Sequence, residues 1–357
     1  MPLPMLETSA QTKRRPRYRR VEAGERPALK LTDRDRELLK HIYDYRFITA
    51  AMLQDLVEPP QLTQRQQEAL ERLIAARRSR TNSERAGEGL AMAQVTSKIP
   101  KRLQALYHHG YVQRHKLSDH DPIIYALGNR GADVLTLHYG IDRQQIDWTS
   151  KNREVGEHYI HHSLMASRFR HALTLALRQQ PDATLDFWEP NGVFKASVAY
   201  EDTIRTSDGG ARTYPVKSTV IPDGFFALRT GDTMKYLFVE ADRSTMTNGR
   251  YLAKLKAYFQ YWMTKVRNHQ HPVMDSFRVL TITLSEARKE NLRTIAREVD
   301  PKGRGLNLFL FVCEQDYHDE PSQVLAPIWQ TPGDESVRSI LGDFRERSYC
   351  VRIGMLR

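Results

Sequence analysis

Cysteine is nearly absent from this chain: 357 residues hold two, Cys313 and Cys350, far apart. Two such residues build neither a zinc site by themselves nor a disulfide framework, so a reducing cytoplasm is the expected compartment. Long apolar runs are missing as well. None approaches the roughly 18–20 residues of a membrane span. The opening stretch, MPLPMLETSAQTKRRPRYRR, has no apolar segment after its charges, which argues against a secretory signal and against a membrane partner. Glycines are not gathered into a phosphate cradle. There is no P-loop, no GxGxxG and no HExxH, which sets aside the nucleotide and zinc-protease chemistries that those motifs carry.

What is present is positive charge. Lys and Arg number 54 against 43 Asp and Glu, a net +11. Such an excess favours a polyanion, and double-stranded DNA is the expected partner. Residues 1–30 hold eight Lys/Arg against three Glu, mostly in KRRPRYRR. This is expected to be a basic, disordered arm in which Arg14, Arg15 and Arg17 meet phosphate.

Two patterns follow the arm. In LTDRDRELLKHIYDYRFITAAMLQDLV, Thr32 or Asp33 can cap a helix carrying Leu38, Leu39 and Ile42, and Thr49 a second carrying Met52, Leu53 and Leu56. A polar insertion occupies 58–93. Then Val95, Ile99, Leu103 and Leu106 share one face of a third helix, with Ser97, Lys98, Lys101 and Arg102 mainly off it. YVQRHKL and PIIYAL read as strands around SDHD, and GNRGADVLTLHYG as a closing helix. This is the order of a winged helix-turn-helix over residues 31–140. Its third helix is expected in a major groove, and Arg114 and Lys116 of the wing on adjacent backbone. After a linker near 140–153, residues 150–357 read as a long helix, three strands (TLDFWEP, STVIPDGFFAL, KYLFVEAD), a helix, a strand, a helix and a strand. That is the core order of a restriction-endonuclease-like α/β domain, a mixed sheet with helices on both faces.

Three acids lie where that fold places metal ligands. Alternation along KYLFVEAD puts Tyr236, Phe238, Glu240 and Asp242 on one side, and Asp223 precedes them in VIPDGFFAL. Such carboxylates suit weakly bound Mg²⁺. Asp223, Glu240 and Asp242 are therefore expected to converge, with at least one titrating above its ordinary value. The usual lysine two residues after the glutamate is missing, because Asp242 stands there. Lys254 and Lys256 on the next helix are the candidates for a migrated lysine. His158 and His162, with Glu154 one turn earlier, form an i, i+4 pair that can hold a metal, and Glu157 can serve the carboxylate site as an accessory ligand.

The strings TVIPDGFFAL, YLFVEADRST and KLKAYFQYW, behind a winged helix, resemble the replication-relaxation family over roughly residues 32–315. The resemblance implies a DNA-binding protein of a mobile genetic element (plasmid, integrative element or prophage), acting in replication, DNA relaxation or their regulation. Replication or mobilisation proteins and a second copy of the chain join DNA as partners. It matches Asp242 and Arg243 after the glutamate, where active nucleases have lysine. Two readings stand: a nuclease-like PD-(D/E)xK domain kept for binding, which is favoured, and a Mg²⁺-dependent endonuclease or nickase with a migrated lysine.

Overall fold

A computed structural model describes residues 20–22, 24, 26, 28–57, 98–146, 155–205, 209–264, 274, 276–300 and 302–342. Arg14, Arg15, Arg17, Ser97, Val95, Glu154, Cys350 and the 58–93 insertion lie outside them.

The N-terminal half follows its sequence signals closely. Thr32 opens α1 (Asp33–Tyr45) with a reciprocal capping box to Asp35, which satisfies two donors that a helix start leaves open. Leu38, Leu39, Ile42 and Tyr45 are buried. Short β1 (Ile48–Thr49) leads through the Thr49 cap into α2 (Ala50–Leu56). Then come α3 (Lys98–His108), β2 (Val112–His115), β3 (Ile124–Leu127) and α4 (Asn129–Tyr139). The three strands form one antiparallel sheet in the order β1-β3-β2. Ile99, Leu103 and Leu106 turn the apolar face of α3 into this core.

The second half is a layered α/β unit. Helix α5 (Glu157–Arg178) precedes β4 (Ala183–Pro190), β5 (Ala196–Arg205), β6 (Ala211–Val220), β7 (Gly224–Thr230), β8 (Thr233–Asp242) and α6 (Asn248–Met263). After them come β9 (Phe277–Thr283), α7 (Glu286–Arg297), β10 (Phe309–Cys313), α8 (Gln315–His318), β11 (Trp329–Gln330) and β12 (Val337–Arg338). Seven strands form a mixed sheet in the order β12-β11-β10-β9-β8-β7-β4. Strands β4, β7 and β8 run antiparallel, while β8, β9 and β10 are parallel. Helices α6 and α7 make the crossovers that parallel neighbours require. No described helix is long and apolar enough to cross a membrane.

One expected strand is two. STVIPDGFFAL breaks at 221–223: β6 pairs only with β5, in a ten-rung ribbon outside the main sheet, and β7 pairs with β4 and β8. Pro222 has no N–H to continue a ladder, and Asp223 occupies the bend between the two strands. Gly224 then re-enters the sheet opposite Pro190. A Cβ there would meet the Trp188 ring at 2.7 Å, so the return depends on glycine.

Helix α5 belongs to both halves. Ile160 and Leu164 pack in the N-terminal core, whereas Met165, Phe169, Leu173 and Ala176 pack under the large sheet. A helix apolar on two faces is a buried helix. Polar groups fasten the same contact. Ser167 Oγ donates to Tyr45 O at 2.7 Å, Arg178 donates to Asp55 O and Leu56 O at 2.7 and 2.6 Å, and Arg170 donates to Asp44 O.

Candidate functional site

Strand alternation and the break before β7 bring Asp223 and Glu240 to one end of the sheet. The Asp223 amide donates to Val239 O at 2.9 Å, anchoring the bend against β8. One carboxylate oxygen of Asp223 accepts from the Ala241 amide at 2.9 Å. The other meets His162 Nε2 at 2.8 Å and Asn191 Nδ2 at 3.0 Å. Burial alone would raise this carboxyl. The His162 hydrogen bond, the charges of Lys254 and His162 and the Ala241 amide outweigh burial and hold it below the ordinary aspartate value. His162 moves the opposite way: its hydrogen bond to Asp223 raises it, against burial.

Glu240 is 3% exposed. Its Oε1 accepts from the Tyr258 hydroxyl and its Oε2 from the Lys254 ammonium. Those two donors stand at i, i+4 on α6, the spacing that puts them on one face of the helix. Burial pushes the Glu240 carboxyl up to about 7; Lys254 opposes the rise, and the charge of Asp223 adds to it. A carboxyl raised above its ordinary value was expected here, with repulsion among acids as the cause. Burial is the larger cause and repulsion the smaller. Burial also works against the Lys254 charge, but the charges of Glu240 and Asp223 more than restore it, so Lys254 ends above its ordinary value.

The remaining candidates are placed elsewhere. Asp242 shares the strand face of Glu240, yet its carboxylate is gripped from α7 by Arg288, at 2.8 Å to Oδ1 and 3.0 Å to Oδ2, and accepts from the Ser244 amide at 2.8 Å. The expected convergence of three acids is therefore two acids beside one acid with its own cation. Among the described residues no group of three or more His, Cys, Asp or Glu is arranged to hold a metal. Lys256 leaves the site and pairs with Asp202 of β5 at 2.6 Å. His158 and Glu157 are exposed on the first turn of α5, so the histidine pair is not assembled: His162 faces Asp223 instead. Sequence reading missed Asn191 and Arg288 altogether, and met Tyr258 only within the string KLKAYFQYW without a role. The one signal was that Tyr258 follows Lys254 by four residues.

In the N-terminal half, Lys98 and Lys101 are exposed on α3. Arg102, also expected as a DNA contact, is engaged within the protein. Its Nε donates to the buried Asp35 at 2.6 Å, Nη2 bonds the other carboxylate oxygen, and Nη2 also reaches Lys30 O at 2.7 Å. Arg102 therefore ties α3 to the capping box of α1. On β2 and just after it, the Arg114 guanidinium lies 5.3 Å from the Tyr107 ring centroid and Lys116 is 3.4 Å from Asp119.

Asp223 and His162 also border a pocket of about 40 Å³ between the halves, closed by Asp44, Tyr45 and Arg46 at the end of α1 and by Arg170 of α5. Water needs about 10–15 Å³, so the pocket has room for water beside the carboxylate.

A family model described as replication-relaxation matches residues 80–276, a stretch that contains Asp223, Glu240, Lys254 and Tyr258. No curated protein and no solved structure matches the chain.

Proposed function

The chain belongs to the replication-relaxation family, and from that membership we propose that it is a DNA-binding protein of mobile genetic elements. In this reading the N-terminal winged helix holds duplex DNA, and the nuclease-like sheet cuts or nicks one strand. The observation that carries the second part is Lys254, which lies on Glu240 and within the field of Asp223. The cation missing from position 242 is supplied from α6.

The donor set fits Mg²⁺. A carboxylate has about four acceptor positions. Asp223 uses three of them, on His162, Asn191 and Ala241, and Glu240 uses two, on Lys254 and Tyr258. Mg²⁺ asks for only one or two carboxylates, completing its shell with water and substrate phosphate. Asp223 and Glu240 would hold the ion, and the chemistry it supplies is activation of water and neutralisation of phosphate charge. The chain's own groups have separate tasks. His162 and Asn191 fix the Asp223 carboxylate, Tyr258 orients Glu240, and the Lys254 ammonium places positive charge beside the scissile phosphate.

A second reading keeps the same residues for binding alone. It is favoured by how fully they satisfy one another without any ion. Supercoiled plasmid incubated with the protein in Mg²⁺ or Mn²⁺ separates the two. Cutting predicts conversion to relaxed circles, lost with chelator, with Asp223→Asn and with Lys254→Met. Retarded plasmid that stays supercoiled under every ion supports the binding-only reading, and failure to bind duplex at all sinks both.

A further inference from the structure

At the end of α3 remote from Lys98 lies a cavity of about 190 Å³. Arg20 and Arg26 wall it from the N-terminal segment, His108 and His109 from the last turn of α3 and its exit, and Arg130 from the first turn of α4. The described lining contains no carboxylate. The contacts that hold two of these guanidinium groups are neutral. Arg26 Nε donates to Val21 O at 2.7 Å. Arg130 donates to His109 O at 3.0 Å and to the Tyr111 hydroxyl at 3.1 Å, and lies 4.6 Å from the Tyr111 ring centroid. Such contacts orient the planar donors without cancelling their charge. His108 registers the crowding. Burial lowers its pKa, and Arg114, Arg26, His109 and Arg20 push it the same way.

Like charges held together in a concave site repel one another until an anion joins them. Planar guanidinium groups match the geometry of phosphate and carboxylate oxygens, and several of them together suit the higher charge of a phosphate. Helix α4 also starts here behind Gly128, which contributes no side-chain cap, so its positive end adds to the field. Gln113 of β2 also lines the cavity, and Arg20 is the last residue of the basic run 13–20. We propose that this cavity is a phosphate-binding site, and that in function it seats a backbone phosphate of duplex DNA held jointly by Arg20, Arg26 and the winged helix. The identification of the phosphate as DNA rests on the reading given under Proposed function; the site itself does not.

Two measurements on the full chain test it. Inorganic phosphate at millimolar concentration should move the imidazole proton resonances of His108 and raise the pKa of that residue. Binding of a random-sequence duplex, followed against salt, should lose about 0.9 from its log–log slope per phosphate contact removed in Arg26→Gln with Arg130→Gln. Duplex binding with an unchanged slope, together with a His108 signal indifferent to phosphate, overturns the site and leaves DNA binding standing. No duplex binding with a responsive His108 means that the cavity takes free phosphate and that the DNA reading falls. The phosphate titration uses the unaltered protein, so a poorly folded variant cannot obscure the answer.

Discussion

Glu240 is a carboxyl sealed between a phenol and an ammonium, and its pH behaviour follows from that. Its value rises from 4.5 to about 7, so between those limits the folded protein holds a proton that the unfolded chain has released. Stability from this group is complete below pH 4.5 and is lost as pH rises through about 7. Wild type should therefore lose stability between pH 5 and pH 8 that Glu240→Gln does not lose. The difference is about 3 kcal/mol at most, at about 1.4 kcal/mol per unit, and urea unfolding at the two pH values measures it. Equal pH slopes in the two proteins would mean that Glu240 is ionised throughout. The identity of this residue was legible in the sequence, because period-two alternation assigns it to one face of β8. Its partners were not. Which residue of α6 lies over Glu240 depends on how the helix is rotated on the sheet, and Lys254 and Lys256 differ by about 200° around the axis. Nothing local distinguishes them.

Arg102 illustrates how a surface position on a helix becomes a structural one when another element arrives. On α3 alone it lies off the apolar stripe and looks solvent-facing. Packing of α1 brings Asp35 beneath it, and Asp35 is 1% exposed. Arg102→Ala should cost about 2–3 kcal/mol, since it leaves a buried carboxylate without its cation. Its effect should appear as a lowered urea midpoint with the salt slope of DNA binding unchanged. A changed slope at unchanged stability would restore Arg102 to the DNA face. Among the elements themselves, capped helices and alternating strands were readable because their signals are local: Thr32, Thr49, the YLFVEAD alternation. The β5–β6 ribbon was not. Its strands contain Asp, Ser, Pro and repeated Thr, and its outer face is exposed. The two-state boundary inside STVIPDGFFAL was hidden for the same reason, since both sides of Pro222-Asp223 favour extended backbone.

At the scale of the whole molecule, the shared helix decides cooperativity. Residues of α5 lie in the N-terminal core at one end and in the sheet core at the other, and Phe169 touches the rings of Trp188, Phe226, Tyr317 and Trp329. Two halves that share a rigid element should unfold as one. Calorimetry should show a single transition, and Phe169→Ala, which costs about 3–5 kcal/mol by leaving a cavity, should lower the stability of both halves together. Two separated transitions in the wild type would refute the coupling. The ribbon is buried only at its base, through Ala196, Val198 and Val220. Residues 191–223 depart at Pro190 and come back at Gly224, its own neighbour across β4 and β7, so the whole excursion begins and ends at one fixed point of the sheet. The entropy of such a closed excursion grows only with the logarithm of its length. Length changes at the far end of the ribbon, away from Asn191, Asp223 and the buried Phe194, Ala196, Val198 and Val220, can therefore accumulate across descent without shifting a rung of the sheet.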